Sequence, residues 1–332
     1  MKRVLVTGGA GFIAHHLISK LLSQTDCEIV SLDRLDFSGN LNRLHEELAL
    51  QPERHRVSIV YHDLKASISP LTVERIGKVD TVFHLAAGSH VDRSITYPME
   101  FVLDNVIGTA NILDFARTQE LELFVNFGTD EVFGPAPLGV RYKEYDRYNS
   151  TNPYSATKAG AEELCVAYRN TYGLPIICTH TMNVFGPRQH PEKFIPSTIA
   201  NVRDGKTVAI HADATRTISG SRFYIHTDDV ADAILFLAGR SHAGPLCPKF
   251  NIVGAEELTN LNLATMIAEE QGKELHHEMV DFHSQRPGHD LRYALDGSLM
   301  CSLGWEPKPI RERVSEVVQW SLQHPEWLMA KR

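Results

Sequence analysis

The chain has 332 residues, a net charge of −8, 43% hydrophobic and 22% charged residues, an ordinary composition for a globular protein of one or two domains. The negative charge gives no reason to expect nucleic acid or an anionic membrane as a partner. The sequence has no run of about 18 apolar residues, and a strand pattern begins directly after the first residues. Neither a membrane-spanning helix nor a signal peptide is therefore expected.

Cysteine and histidine usage bears on the compartment and on metals. The five cysteines are widely spaced and form no Cys-x-x-Cys pair, which indicates reduced thiols in a cytoplasmic protein. The seventeen histidines show no HExxH or similar spacing. We therefore expect no metal site.

The first 35 residues show the pattern of a dinucleotide-binding unit. An apolar run at 4–6 is followed by Gly8 and Gly11, and then by apolar residues at helical spacing. Glycines there allow a tight turn and a close approach of a pyrophosphate, which the helix N-terminus stabilises. A second strand pattern ends in Asp33, whose carboxylate can accept both adenosine ribose hydroxyls and would repel a 2′-phosphate. The pattern predicts NAD, and Arg34 weakens the preference over NADP only slightly.

Strand and helix patterns alternate through the first half of the chain. A helical pattern covers about 98–117, and after the leading run the apolar strand patterns lie at 28–32, 56–61, 81–85, 121–126 and 176–180. Repeated units of this length predict an α/β fold with a Rossmann-type, doubly wound parallel sheet. The regularity fades after about residue 180, which predicts a smaller C-terminal α/β domain for the substrate. Thr227 is expected to cap a helix there.

A polar stretch follows the strand pattern at 121–126. Thr129, Asp130 and Glu131 stand just past the carboxyl end of that strand, and ligands of open parallel sheets bind beside such strand ends. Taken alone, the triplet is also compatible with an ordinary polar loop. A hydroxyl and two adjacent acids at this position nevertheless make it the first candidate for chemistry.

Tyr154 and Lys158 begin a long helical pattern that follows Pro153. They are four residues apart and so share one face of the helix. An ammonium close to a phenol lowers the phenol pKa, so we expect Lys158 to make Tyr154 a usable base. The same spacing also occurs as a solvated lysine beside a packing tyrosine. The NAD pattern and Thr129 favour catalysis.

Six segments in the same order carry a resemblance to a known family. They are 7–13 (TGGAGFI), 85–94 (LAAGSHVDRS), 129–132 (TDEV), 154–158 (YSATK), 191–196 (PEKFIP) and 286–290 (RPGHD). With these segments the chain resembles the extended short-chain dehydrogenase/reductase family, and within it the nucleotide-sugar 4,6-dehydratases, above all those acting on dTDP-glucose. The resemblance implies an NAD-binding domain at 1–180 and a nucleotide-sugar-binding domain at 181–332, with about 221–242 packing back on the first.

The resemblance also implies roles for individual residues. The catalytic residues are expected to be Thr129, Asp130, Glu131, Tyr154 and Lys158. Besides Tyr154 and Lys158, the NAD contacts are expected from Gly8, Gly11, Phe12, Ile13, Asp33, Arg34, Asp63, Leu64, Leu85, Ala86 and Ala87. The nucleotide-diphosphate hexose is expected to contact Ser89, Thr129, Asn183, Lys193, Arg222, Asn251, Arg286 and His289. Helices at about 98–117 and 153–172 match those that relatives pair in a homodimer.

The implied reaction begins with oxidation of the sugar C4 hydroxyl, for which Tyr154 takes the proton while Lys158 holds the tyrosine and the nicotinamide ribose. Glu131 then removes the C5 proton, Asp130 protonates the departing C6 hydroxyl, and hydride returns to C6. A nucleotide-sugar 4-epimerase gives the two acids no role, and a UDP-glucuronate decarboxylase usually lacks the aspartate. An NAD-sensing regulatory protein would need neither Tyr154 nor Lys158. These alternatives remain open.

Three departures from the family pattern leave the nucleotide and the hexose open. Gly88 stands where relatives carry glutamate, and Gly128 replaces a small hydroxyl residue. The segment 213–222 is about four residues longer than usual, and either Arg216 or Arg222 could supply a diphosphate clamp from it.

Overall fold

A computed structural model describes residues 1–36, 38–240, 242, 244, 247–281 and 291–329. These residues form thirteen strands, which in chain order are β1 (Arg3–Thr7), β2 (Glu28–Asp33), β3 (Val57–Tyr61), β4 (Thr81–His84), β5 (Leu123–Thr129), β6 (Ile176–Thr181), β7 (Val184–Phe185), β8 (Val208–Ala212), β9 (Ser221–Arg222), β10 (Ile225–His226), β11 (Lys249–Ile252), β12 (Leu258–Thr259) and β13 (His277–Asp281). Seven of the strands form one parallel sheet in the order β11-β6-β5-β4-β1-β2-β3. The Rossmann-type fold predicted from the alternating patterns is confirmed.

The helices cover both faces of this sheet and build the second half. In chain order they are α1 (Ala14–Gln24), α2 (Leu41–Ala49), α3 (Pro70–Ile76), α4 (Val91–Thr96), α5 (Pro98–Phe101), α6 (Gly108–Ala116), α7 (Pro153–Tyr172), α8 (Phe194–Arg203), α9 (Thr227–Ala238), α10 (Asn260–Glu270), α11 (Ser298–Ser302) and α12 (Ile310–Gln323). Single helical turns lie at Arg54–Arg56, Asp130–Phe133 and Pro325–Leu328. Among the described residues, none of these helices is both long and apolar enough to cross a bilayer.

The helix expected at about 98–117 is continuous, but its middle part is wound more loosely than an α-helix. Helices α5 and α6 are joined there by a π-helical segment, Val102–Ile107. Asn105 in this segment is buried, and its amide bonds Gly88 and the Thr157 hydroxyl. Such a bulge re-aims neighbouring side chains, and π-turns are frequent at functional sites.

The second half has its own apolar core but also returns to the first sheet. Helices α8, α10 and α12 pack together through side chains such as Ile199, Leu263 and Val318. Strand β11 lies beyond the expected boundary at 180 and nevertheless pairs with β6 in the central sheet. Helix α9 packs on α1, and its cap is His226, whose ring accepts from the Asp228 N–H, so the expectation that Thr227 caps it is wrong.

Gly128 in β5 generates a stability prediction. A Cβ at this position would lie 2.2 Å from the carbonyl oxygen of Thr179 in β6, so Gly128→Ala must push two paired strands apart. We expect a loss of about 1–3 kcal/mol in the free energy of unfolding, measured by urea denaturation. Gly160→Ala in α7 is the control, because its methyl would meet only Val106 at 3.5 Å. Equal stability of Gly128→Ala and the wild type would contradict this packing.

Candidate active site

A cavity of about 350 Å³ opens at the carboxyl ends of the central strands. Parallel sheets place strand ends at one edge, so residues far apart in sequence meet there. Most of the predicted site residues line this one cavity: Gly8, Gly11, Phe12, Ile13, Asp33, Arg34, Asp63, Leu64, Leu85, Ala86, Ala87, Ser89, Thr129, Asp130, Glu131, Tyr154, Lys158, Asn183 and Lys193.

The glycine turn after β1 packs directly on the loop after β4. Gly8 has a φ of 71°, and a Cβ there would lie 2.9 Å from the backbone of Ala86. A Cβ on Gly11 would lie 2.8 Å from the Gly8 carbonyl oxygen. Larger residues would therefore fill the space where α1 begins, and the two glycines leave the backbone accessible for a pyrophosphate.

A buried carboxylate ends β2 at the other side of this turn. Asp33 is 8% exposed and accepts hydrogen bonds from the N–H groups of Ala10 (3.0 Å) and Leu35 (2.8 Å). It lines the cavity close to the glycine turn, which is the place of the ribose-binding acid in dinucleotide sites. The residues of this structure therefore fit the adenosine diphosphate half of NAD.

A hydrogen-bonded histidine holds the loop after β4 against β1 and α6. The His84 ring lies between the hydroxyls of Thr7 (2.8 Å) and Thr109 (3.0 Å), and Thr7 also accepts from the Ala86 N–H. Burial, and then the charge of Lys158, lower the pKa of His84 to about 3. His84 is therefore a neutral structural link at physiological pH.

The acids after β5 occupy very different surroundings. Thr129 donates to Asp130 at 3.1 Å and accepts from the Glu131 N–H at 3.4 Å. Asp130 is 5% exposed, and its second oxygen has no hydrogen-bond partner among the described residues. Burial, and then the charge of Glu131, raise the pKa of Asp130 to about 7. Glu131 is partly exposed and accepts from the amide of Asn152 at 3.0 Å.

Tyr154 and Lys158 both reach the cavity, but Lys158 does not lower the phenol pKa as expected. Its ammonium donates to the carbonyl oxygen of Phe127 at 2.6 Å, and burial lowers the pKa of this ammonium to about 8. Burial, and then the charge of Glu131, raise the pKa of Tyr154, while a hydrogen bond with Thr129 opposes that shift. The helical spacing was sufficient to place both side chains on one face, but not to pair them.

The substrate side of the cavity is lined by polar residues from both halves of the chain. Ser89 follows β4, Asn183 follows β6, and Lys193 precedes α8. His90 and His190 face each other there with ring centroids 5.9 Å apart. Burial and the charge of Lys193 lower the pKa of His90 to about 4, so its ring is neutral.

One group of side chains has the composition of a metal site. Possible ligand atoms of His90, His190 and Glu192 lie within 4.8 Å of one another. Lys193 adjoins both rings and depresses the pKa of each, and the same positive charge would repel a metal ion. We assign no metal to this group.

Two predicted substrate contacts are not at the cavity. Asn251 is fully buried in β11, where its amide bonds His180 (2.9 Å) and the carbonyls of Tyr142 and Asp296, so its predicted role is wrong. Its position inside a strand could have suggested this. Arg222 donates to the Leu291 carbonyl and does not line the cavity, although its charge lowers the pKa of Asp130.

The remaining sequence expectations have simple outcomes. Arg216 is exposed on a turn and does not line the cavity, so it supplies no clamp in this structure. Arg286 and His289 lie outside the described residues. The sequence reasoning missed several residues that the cavity includes, among them Lys65, His90, Asp104 and His190. Asp104 lies in the middle of a helical pattern, where nothing in the sequence distinguishes it from a solvated charge.

Comparison with known proteins agrees with this geometry. The model of the "NAD dependent epimerase/dehydratase family" matches residues 4–252. The low-salt glycan biosynthesis protein Agl12 of Haloferax volcanii is 38% identical over 92% of this chain and 93% of its own. The dTDP-glucose 4,6-dehydratase DesIV of Streptomyces venezuelae, solved with NAD and TYD bound, is 33% identical with a TM-score of 0.85 over 98% of both chains.

Epimerases share the fold as well. The UDP-glucose 4-epimerase of Thermus thermophilus, solved with NAD, is 29% identical with a TM-score of 0.83 over 96% of this chain and 98% of its own. The NAD predicted from the glycine turn and Asp33 is confirmed by the family and by these NAD-bound relatives. The predicted resemblance to the extended short-chain dehydrogenases/reductases is confirmed too: the chain belongs to the NAD-dependent epimerase/dehydratase family of enzymes.

Proposed function

We propose that this enzyme is an NAD-dependent nucleotide-sugar 4,6-dehydratase, a hydro-lyase that acts on a hexose of the dTDP-glucose or UDP-glucose type. The observation that carries the proposal is the buried carboxyl of Asp130, whose pKa is raised to about 7 beside Glu131 in the cavity of Tyr154. Oxidation at C4 alone needs Thr129, Tyr154 and Lys158. Two acids with different protonation add what loss of water requires.

The first half of the reaction is the oxidation of C4. NAD, held by the glycine turn and Asp33, would supply the hydride acceptor for C4 and the hydride donor for C6. Thr129 holds the reacting oxygen and Tyr154 takes the hydroxyl proton, since these two side chains already share a hydrogen bond. Tyr154 can take this proton only as a phenolate. Lys158 is bound to the carbonyl of Phe127 in this structure, so it must move towards Tyr154 for its positive charge to stabilise that phenolate.

The second half removes water across C5 and C6. The C4 ketone makes the C5 hydrogen acidic, and Glu131 takes that proton as a carboxylate. Asp130 gives its proton to the C6 hydroxyl, which leaves as water when the C5–C6 double bond forms. Glu131 then returns its proton to C5, and with a hydride delivered to C6 the sugar would become the 4-keto-6-deoxy product. The net change is the loss of one water, and the cofactor ends as it began.

The rest of the cavity supports the same substrate class. Lys193, at the border between the two halves, offers a cation to a diphosphate, and Ser89 and Asn183 offer hydrogen bonds to a sugar. We accordingly assign residues 1–180 to NAD binding and residues 181–332 mainly to the nucleotide sugar. Strand β11 and helix α9 are among the parts of the second half that pack on the first.

The proposed reaction predicts a specific product. Incubation with dTDP-glucose, UDP-glucose, CDP-glucose, UDP-N-acetylglucosamine and GDP-mannose, each separately, should yield one nucleotide sugar lighter by one water, detected by mass spectrometry. Asp130→Asn combined with Glu131→Gln should abolish this product, because neither amide can move the protons, and should leave NAD binding unchanged. Epimerised sugar without mass loss would instead identify a 4-epimerase, and full turnover by the double variant would contradict the roles of the acids.

The protonation of Asp130 predicts how stability depends on pH. The carboxyl titrates at about 7 in the folded protein and near 3.8 when unfolded. Its contribution to stability is therefore complete below about pH 4, is lost as the pH rises to about 7, and then stays constant. Asp130→Asn does not titrate, so its stability relative to the wild type should rise between these values by at most about 4 kcal/mol.

Thermal unfolding at about pH 5 and pH 8 measures this difference. The control is Asp114→Asn, which changes an exposed carboxyl on α6. It should change the free energy of unfolding by the same small amount at both pH values. An Asp130→Asn effect that is equal at the two pH values would show that Asp130 does not titrate as proposed.

We also propose a homodimer in the cytoplasm. The five cysteines are all free thiols, as is usual in a reducing compartment. Large apolar side chains are exposed along α5 and the π-helical segment: Met99 (66%), Leu103 (40%) and Ile107 (38%). They are spaced four apart and lie next to α7, so they form an apolar strip that a second copy of the chain can cover.

A charge on this strip should separate the dimer. Leu103→Glu is expected to shift the protein from dimer to monomer in analytical ultracentrifugation, because a buried unpaired carboxylate opposes association. Leu138→Glu is the control, since Leu138 is 93% exposed and lies outside the strip. A wild-type monomer, or a dimer that tolerates Leu103→Glu, would contradict the proposed interface.

A further inference from the structure

The adenosine end of the cavity contains an arginine where a phosphate could be bound. Arg34 follows Asp33 at the end of β2 and lines the cavity. In dinucleotide sites an acid at this strand end selects the ribose of NAD, whereas a nearby arginine can accommodate the 2′-phosphate of NADP. The sequence places both residues side by side, so it does not determine which of them prevails.

The structure shows that carboxylates already hold Arg34. Asp104 binds both terminal nitrogens of the guanidinium, at 2.5 and 3.0 Å, and Asp36 binds its Nε at 2.7 Å. Asp63 lies 3.6 Å away, and Lys65 contacts Asp104 at 3.2 Å. A two-point ion pair with a 9% exposed carboxylate satisfies the face of the guanidinium that a phosphate would need.

The charge balance around Arg34 also opposes a phosphate. Three cations, Arg34, Arg43 and Lys65, stand among four carboxylates that line the same part of the cavity, namely Asp33, Asp36, Asp63 and Asp104, so the negative charges outnumber the positive ones by one. A 2′-phosphate would bring up to two further negative charges into this surplus. The two ribose hydroxyls of NAD bring none.

The backbone of the π-helical segment positions Asp104 beside Arg34. Asp104 lies in the π-helical segment, and the next residue, Asn105, ties that segment to Gly88 and to Thr157 in α7. A Cβ on Gly88 would come within 3.1 Å of the Asp104 carboxylate. Glycine at position 88 therefore leaves the room that the Asp104 side chain occupies.

We propose that Asp104 is a specificity-determining residue that restricts the cofactor to NAD. It does so by holding Arg34 in a two-point ion pair and by adding a negative charge where a 2′-phosphate would lie. Removal of its charge leaves Arg34 with the more exposed Asp36 and free to turn toward a phosphate. The cofactor preference is thus decided by a residue 70 positions away from the arginine that it controls.

The test is a comparison of NAD and NADP binding to the purified protein. Calorimetry, or displacement of bound NAD followed by chromatography, gives the ratio of the two dissociation constants. Asp104→Asn should lower the ratio of the NADP dissociation constant to the NAD dissociation constant about 10-fold or more, since a hydrogen bond to a charged group contributes that much free energy. The change should come from tighter NADP binding. NAD binding should change less than about threefold.

Three further variants distinguish the release of Arg34 from general effects of mutation on cofactor binding. Asp114→Asn, a matched change on α6, should leave the ratio as in the wild type. Asp104→Asn combined with Arg34→Met should lose the gain in NADP binding, because Arg34 is the group that is released. Asp104→Thr tests the same position with a smaller neutral side chain if the asparagine variant does not fold. An unchanged ratio in a folded Asp104 variant, or a gain that persists without Arg34, would overturn the proposal.

Discussion

The chemistry of this enzyme depends on how closely the end of β5 is held between β6 and α7. The backbone at Gly128 lies so near the Thr179 carbonyl that no Cβ fits between them, and Lys158 reaches from α7 to the carbonyl of Phe127 at 2.6 Å. These two contacts fix the strand end from both sides. Thr129 is thereby brought to Tyr154, and the acids that follow it point into the cavity.

A buried charge network behind this strand connects the two halves of the chain. Glu162, one helical turn after Lys158, contacts His180 at 3.0 Å and Lys249 at 2.9 Å, and it accepts from Tyr148. Although burial opposes ionisation, His180 and Lys249 lower the pKa of Glu162 to about 2. A buried carboxylate that lost these partners would be costly. The network thus links β11 to α7 through Lys249 and Glu162, in addition to the backbone pairing of β11 with β6.

Two aspartates at different ends of the cavity, Asp104 and Asp130, have opposite electrostatic surroundings. Asp104 is paired with two cations, Arg34 and Lys65. Asp130 is desolvated without a cation in contact, and its pKa therefore rises to about 7. In our two proposals, Asp104 acts by its negative charge and Asp130 by a transferable proton. Burial and neighbours, more than residue identity, set these roles.

The sequence by itself predicted the parallel α/β fold and NAD as cofactor, because short-range patterns show which side chains follow a strand end. The family resemblance, more than these patterns, indicated most of the predicted site residues that line the cavity. The sequence did not determine the surroundings of those side chains. Lys158 donates to a carbonyl of β5, Asn251 is hydrogen-bonded inside a buried network, and Asp104 contacts Arg34 from a helical segment that is distant in the sequence. Such contacts depend on distances between elements that are far apart along the chain, so only the tertiary structure could decide them.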